Sequence, residues 1–198
     1  FWVITVSMKK LKISVVIPAY NEEKYIAKTL KSLINQDFPR ELFEVIVVNN
    51  NSTDRTGEIL NSYKQKLNLK IILEKQKGRG RARYTGFKQT LGDFILSTDA
   101  DSIVPHNWIE KIANTFEKEK DISAVTGPYK IVDCSPMTNK IFNYIQPLSM
   151  RVYSKFFQHY WLTGSNFGIK KEAYIKSGGF NPKLNAQEDI DFSFKVSK

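Results

Sequence analysis

The sequence is poor in cysteine, proline and glycine, and it has no long apolar run. Its 198 residues include one cysteine, Cys134, which excludes an internal disulfide and any zinc site built from several cysteines. With 7 prolines and 10 glycines the chain is neither collagen-like nor of low complexity. No stretch reaches the roughly 18 apolar residues that a membrane-spanning helix needs. These absences predict a globular domain, either soluble or attached to a membrane surface.

Positive charge is in excess, with 30 Lys and Arg against 20 Asp and Glu, a net charge of +10. This excess predicts a polyanionic partner, which could be a nucleotide phosphate, a nucleic acid or an anionic bilayer. Residues 1–7 lack the features of a signal peptide, so we interpret them as an extension ahead of a natural start at Met8. Without a targeting signal we expect a cytoplasmic location.

Short β-branched runs alternate with amphipathic segments over the first 125 residues. Strands are predicted at 13–17, 43–48, 69–73 and 94–98, and helices at about 21–36, 54–66, 81–91 and 105–120. Asn21, and then Ser52 or Thr53, are the expected helix caps, with Pro105 in the first turn of the fourth helix. This alternation predicts a doubly wound, mostly parallel α/β sheet, followed by a smaller, irregular C-terminal layer that ends in a helix from about Asp189.

Two carboxylates, Asp99 and Asp101, directly follow the fourth predicted strand. Residues two apart in an extended backbone point to the same side, so the two side chains can converge. A divalent cation would remove their mutual repulsion, and all-oxygen ligands suit Mg²⁺ or Mn²⁺. The alternative is a solvated turn, but ligands in such sheets bind at the carboxyl ends of the strands.

Five cations lie within nine positions, at Lys75, Lys77, Arg79, Arg81 and Arg83. The two glycines among them, Gly78 and Gly80, do not complete a dinucleotide-binding fingerprint, because an arginine stands where the third glycine belongs. The run is either a solvated face or a phosphate site. We favour contacts from Lys77 and Arg83 to a diphosphate, since an arginine fork matches phosphate oxygens.

Glu188 and Asp189 open the last predicted helix, where acidic side chains complement the helix dipole. The functional alternative is a general base, which would need to lie within hydrogen-bond reach of a hydroxyl. Before this pair, residues 141–161 are rich in aromatic side chains, with Arg151 and Lys155 among them. We expect that stripe to be core, and the alternative is an interfacial surface that touches a lipid-linked acceptor.

With these residues in view, the chain resembles the family 2 glycosyltransferases, which have the GT-A fold. Six segments in the family's order carry the resemblance: VVIPAYNE at 15–22, VVNNNSTD at 47–54, and residues 86–101, 164–167, 178–180 and 188–189. The resemblance implies a single domain over 8–198, with a nucleotide-binding half at 13–101 and a short acceptor half at 102–198. It also implies an inverting transfer from a nucleotide-diphosphate sugar to an acceptor hydroxyl, with Mn²⁺ or Mg²⁺.

The resemblance also implies roles for single residues. Pro18, Tyr20 and Glu22 would line the nucleotide pocket. Asn50 would lie near the base, Arg83 near the diphosphate, and Asp99 near the ribose or donor. Asp101 would ligate the metal and Asp189 would be the base, while Gly164, Asn166 and Glu188 would lie on the acceptor side.

Two departures from the family pattern concern the donor. The family often has Asp-Asp-Gly where this chain has Asn49, Asn50 and Asn51, and Tyr84 stands where an asparagine is usual. An asparagine both donates and accepts hydrogen bonds, unlike an ionised aspartate, so the base is left open. The expected partners are a UDP-sugar, with GDP- and dTDP-sugars as alternatives, and a glycan, lipid-linked or protein acceptor.

Two other functions fit parts of the sequence. The asparagine triplet allows a nucleotide-sugar-binding domain without turnover. The net charge alone allows a nucleic-acid-binding protein, although we expect no nucleic acid partner. The expected location is cytoplasmic, with the inner membrane face as an alternative.

Overall fold

The computed structural model describes residues 13–131, 134–157 and 159–197, so the predicted extension at 1–7 and start at Met8 lie outside the described residues. Its centre is a six-stranded sheet of order β3-β2-β1-β4-β6-β5. The strands are β1 Ile13–Ala19, β2 Phe43–Asn49, β3 Leu69–Leu73, β4 Phe94–Ser97, β5 Ala124–Thr126 and β6 Phe167–Lys170. Strands β1 to β4 run parallel, and β6 is antiparallel to both β4 and β5. The predicted doubly wound, mostly parallel sheet is confirmed.

Helices cover both faces of this sheet. They are α1 Ile26–Ile34, α2 Thr56–Tyr63, α3 Arg79–Lys88, α4 Trp108–Lys118, α5 Pro136–Phe157, α6 Lys171–Lys176 and α7 Glu188–Val196, with a short 3₁₀ turn at Arg40–Leu42. One face packs against α1, α2 and α4, and the other against α3, α6 and α7.

The central strands read as continuous apolar runs because both of their faces are buried. Alternate residues of β1 divide between the two cores: Val15 and Ile17 pack with Leu30 of α1, and Val16 packs on the opposite face. On that second face α3 lies very close to the sheet, since a Cβ added at Gly86 would come within 2.5 Å of Val16.

The predicted helix starts are wrong by a few residues. Asn21 does not cap α1, which begins at Ile26. It has a positive φ of 55°, and its Oδ1 accepts from Thr53 N at 2.8 Å. Neither Ser52 nor Thr53 caps α2, because Asp54 Oδ1 accepts from Thr56 N at 2.9 Å. Pro105 lies just ahead of α4, and its carbonyl accepts from Trp108 N.

The expectation that the aromatic stripe is core is wrong. The 22 residues of α5 include no buried side chain among those described. Tyr144 is 78% and Leu148 62% exposed, whereas Phe142 and Tyr153 are half-buried. Phe156, Phe157 and Tyr160 are exposed as well. Within the described ranges, none of the helices is both long and apolar enough to cross a bilayer.

Candidate active site

A cleft of roughly 350 Å³ opens at the carboxyl ends of β1, β2 and β4. Parallel strands end together at this edge, so the residues that follow each strand face one another. The structure brings eight of the residues singled out from the sequence into the lining of this one cleft: Pro18, Tyr20, Glu22, Asn50, Lys77, Arg83, Asp99 and Asp101.

Arg83 of α3 is buried beside the cleft and organises its floor. Its Nη2 donates to Asp99 Oδ1 at 2.6 Å, and its Nε donates to Glu188 Oε1 at 3.2 Å. Its Nη1 donates to Ser97 Oγ at 2.7 Å. Burial by itself would lower the pKa of Arg83, but the charges of Asp99 and Glu188 outweigh it and raise the pKa. The guanidinium is therefore a fixed cation that ties α7 to the end of β4.

Arg83, Ser97, Asp99 and Glu188 form what we call the Arg83 cluster. Asp189 is connected to this cluster through Gly164. The Gly164 N–H donates to Asp189 Oδ2 at 3.3 Å, and the Gly164 carbonyl accepts from Ser97 Oγ at 3.0 Å. A Cβ at position 164 would lie 2.3 Å from Nη2 of Arg83, so only glycine lets the backbone touch the guanidinium. Asp189 is not one of the cleft-lining residues, but a single glycine separates it from the side chains that form the floor.

Three carboxylates line the cleft, those of Glu22, Asp99 and Asp101. Burial, followed by the charges of Asp101 and Asp99, raises the pKa of the Glu22 carboxyl above its ordinary value. The half-buried Asp99 carboxylate forms an ion pair with Arg83, whereas the Asp101 carboxylate is exposed. Among the described residues, no three His, Cys, Asp or Glu side chains are placed to hold a metal together. Mg²⁺ and Mn²⁺ sites commonly take one or two carboxylates and complete their shell with water and substrate phosphates, which fits this oxygen-only set.

The five cations of residues 75–83 differ in burial and in what they face. Lys77 and Arg79 are exposed side chains that line the cleft, while Arg83 is buried beside it. Lys77 Nζ donates to Tyr20 Oη at 2.7 Å, which links the end of β1 to the loop ahead of α3. Two cations thus remain available on the wall of the cleft, in addition to the paired Arg83.

The residues expected on the acceptor side make structural contacts. The amide of Asn166 accepts from Trp108 Nε1 at 2.9 Å and donates to the Pro128 carbonyl at 3.1 Å. Glu188 is buried and pairs with Arg83. Asn166 therefore connects α4 to the segment around Pro128, and Glu188 connects α7 to α3.

Asn185 lines the cleft and was missed by sequence reasoning. It lies in the loop before α7 and covers Gly78, where an added Cβ would come within 2.4 Å of Asn185 Oδ1. A lone asparagine in a loop has no distinctive spacing, so no sequence signal could have found it. Arg79 was visible as part of the cation run but was not chosen.

The comparisons with known proteins fit this arrangement. Residues 14–178 match the family model described as Glycosyl transferase family 2. The chain belongs to this family. A relative from Staphylococcus aureus (strain Mu50), the poly(ribitol-phosphate) beta-N-acetylglucosaminyltransferase TarS, is 45% identical over 190 residues, covering 94% of this chain and 32% of TarS.

Two solved structures show the same fold. The crystal structure of S. aureus TarS 1–349 in complex with UDP superposes with a TM-score of 0.75 at 26% identity, covering 94% of this chain and 55% of that one. The mannosyltransferase PcManGT from Pyrobaculum calidifontis, in complex with GDP-Man and Mn²⁺, superposes with a TM-score of 0.73 at 24% identity, covering 91% and 50%. The chain spans 32% of the length of TarS and 48% of that of a second relative, the probable glycosyltransferase YdaM of Bacillus subtilis (strain 168), which is 32% identical over 96% of this chain.

Proposed function

We propose that this family 2 domain moves a sugar from a nucleoside-diphosphate donor to an acceptor hydroxyl, with inversion and with the help of a divalent cation. One observation carries the proposal. The Arg83 cluster joins Asp99, at the cleft, to Glu188 at the start of α7, and Gly164 connects Asp189 to the same cluster. A donor in the cleft would therefore lie close to the Asp189 carboxylate, each oxygen of which keeps a second lone pair for the acceptor proton.

The donor side is assigned from the lining of the cleft. Pro18 and Tyr20 would contact the nucleoside, and the exposed Lys77 and Arg79 would face the diphosphate. Asp101 would hold Mn²⁺ or Mg²⁺, with Asp99 nearby. When bound, such a cation stabilises the negative charge that develops on the departing diphosphate. A UDP-sugar is favoured because TarS binds UDP, and GDP- and dTDP-sugars are the alternatives.

Asp189 would act as the base. As the acceptor oxygen bonds to the anomeric carbon, its proton passes to Asp189, and the bond from that carbon to the diphosphate oxygen breaks. A single displacement from the opposite face inverts the anomeric centre. The Gly164 N–H fixes one carboxylate oxygen of Asp189, and the Ile190 N–H contacts the other at 2.9 Å.

The acceptor would be a glycan, a lipid-linked sugar or a protein. The exposed apolar face of α5 supports peripheral contact with an anionic membrane, because Lys140, Arg151 and Lys155 accompany it and no acidic residue occurs between 136 and 157. The location we propose for this contact is the cytoplasmic face of a membrane.

The test is release of the nucleoside diphosphate from UDP-GlcNAc, UDP-glucose and GDP-mannose in the presence of Mn²⁺. We expect the wild type to release it from one of them, and Asp189→Asn to release it at least about a hundredfold more slowly, because a general base contributes about 10² to 10⁴ in rate. Asp191→Asn, the same change two residues along α7, is the matched control and should retain the rate.

Calorimetry separates the alternatives. If UDP binds to the wild type but the protein releases no nucleoside diphosphate from any of the three donors, the chain is a binding domain without turnover. If neither UDP nor GDP binds, the donor-site proposal fails altogether.

A further inference from the structure

We infer that two polar residues of α1, Thr29 and Ser32, position the segment that carries Asp101 and thereby set the geometry of the cation site in the cleft. This inference rests on the proposed donor site and refines how its metal ligand is held. Helix α1 otherwise presents apolar side chains to the core, with Leu30 and Leu33 fully buried. Thr29 lies among them at 0% exposure, and a buried hydroxyl is costly unless it has a hydrogen-bond partner.

The partner of Thr29 belongs to the cleft. Its Oγ1 donates to the Ala100 carbonyl at 2.7 Å, and Ala100 is itself buried. Ala100 lies between Asp99 and Asp101, the two carboxylates that follow β4. A hydroxyl has a single proton, so this bond takes the only donor of the Thr29 side chain, which a helical threonine can otherwise give to a carbonyl of its own helix. The hydroxyl therefore supports the turn after β4.

Two more side chains of the same region hold the residues that follow this turn. Ser32 Oγ accepts from the Val104 N–H at 3.2 Å. Gln36, just past the end of α1, donates from Nε2 to the Pro105 carbonyl at 2.7 Å, and its Oε1 accepts from the Ile109 N–H at 3.0 Å. The segment between β4 and α4 is thus attached to α1 and the residues just after it by hydrogen bonds to its own backbone.

The two aspartates of the turn are held in different ways. The Asp99 carboxylate is fixed by its ion pair with Arg83. The Asp101 carboxylate is exposed, so its place depends on the backbone that carries it, and Thr29 holds that backbone at the preceding carbonyl. If the Ala100 peptide were free to rotate, Asp101 would move relative to Asp99. A cation held by one or two carboxylates would then lose its ligand geometry.

The test separates the contribution of the cation from nucleotide binding itself. UDP is titrated by calorimetry, with and without Mn²⁺, into the wild type, Thr29→Val and Thr29→Ser. Valine keeps the shape of threonine without the hydroxyl, whereas serine keeps the hydroxyl. We expect Thr29→Val to retain the Mn²⁺-free affinity for UDP within about twofold, and to reduce the strengthening by Mn²⁺ about fivefold. Thr29→Ser should restore most of that strengthening.

Thr90→Val is the matched control. The Thr90 hydroxyl is also buried and also donates to a backbone carbonyl, that of Phe87 at 2.8 Å. Thr90 precedes β4, however, and so lies at the opposite end of that strand from the cleft. Thr90→Val should leave both UDP affinities unchanged within about twofold. A general loss of stability would affect the two valine variants alike, so the selective loss in Thr29→Val is what a positioning role predicts.

Thermal melting verifies that Thr29→Val is folded. If it is not, Ser32→Ala carries the test, because it removes the acceptor of the Val104 N–H. It should reduce the strengthening by Mn²⁺ about threefold.

Three results would overturn the inference: full strengthening by Mn²⁺ in the variant that carries the test, equal losses of UDP affinity with and without Mn²⁺, or a folded Thr29→Ser as impaired as Thr29→Val. Each would leave the donor site intact. A wild type whose affinity for UDP does not respond to Mn²⁺ would instead remove the proposed cation site, and this inference with it.

Discussion

The cleft and helix α5 differ in which side chains they bury and which they expose. At the floor of the cleft, the charged side chains of Arg83 and Glu188 are buried and paired, and Arg83 bonds to Ser97, Asp99 and Glu188. Along α5, apolar side chains face outward and none is buried among those described. Buried polar networks are costly unless satisfied, so the first region must hold one arrangement. The exposed apolar side chains of α5 carry no such constraint, and we propose above that they contact a membrane.

The largest effect should come from removing the central cation of the cleft. In Arg83→Met the two carboxylates of Asp99 and Glu188 would face each other without a partner, and Glu188 is buried. Breaking a buried ion pair from one side costs about 3–5 kcal/mol of unfolding free energy. Urea unfolding measures it. Arg79→Met, an exposed arginine on the same helix, should change stability by less than about 0.5 kcal/mol. Equal losses in the two variants would show that burial of the Arg83 cluster is not what stabilises this region.

The same Leu→Ala truncation should lower the free energy of unfolding by different amounts in the buried core and on α5. Leu33→Ala removes a fully buried side chain of α1 and should cost about 3 kcal/mol. Leu148→Ala removes one that is 62% exposed on α5 and should cost less than about 0.5 kcal/mol. Both are read from urea unfolding of the same protein. A cost for Leu148→Ala close to that for Leu33→Ala would mean that the α5 face is packed in solution.

The smallest effect is a dependence on pH. Because the pKa of Glu22 is raised in the folded state, the folded protein binds this proton more tightly than the unfolded chain does. The charged form therefore destabilises the fold as pH rises from about 4.3, the unfolded value. Glu22→Gln should be more stable than the wild type at pH 7, by under about 1 kcal/mol, and the gain should vanish below about pH 4. A thermal unfolding series across pH checks this, and a loss of stability at pH 7 would contradict it.

Much of the fold follows from patterns that the sequence displays. Strands β1 and β2 are β-branched runs that are almost entirely buried, and β3 and β4 are shorter, largely apolar runs, so the positions of all four were predicted to within two residues. Strands β5 and β6, of three and four residues, were not predicted; β6 pairs with β4, and β5 pairs with β6. The stripe on α5 has the spacing of a core helix, but spacing cannot say whether another element is there to cover it.

The candidate site divides in the same way. Residues that directly follow strands, such as Asp99 and Asn50, were placed by topology alone. Their hydrogen-bond partners were not, because the partners come from distant segments. Arg83 was expected at a diphosphate, yet its nitrogens bond to Ser97, Asp99 and Glu188, and Glu188 lies far along the chain. A side chain's chemistry can be read from sequence, but which of its atoms remain free depends on tertiary packing.

The central claim is that the cleft binds a nucleoside diphosphate together with a cation held by Asp101. The most direct measurement is calorimetric titration of UDP into the wild type and Asp101→Asn, each with and without Mn²⁺. We predict that Mn²⁺ strengthens UDP binding to the wild type by at least about tenfold, and that Asp101→Asn loses most of this gain. Binding of UDP with the same affinity in all four titrations would contradict the claim.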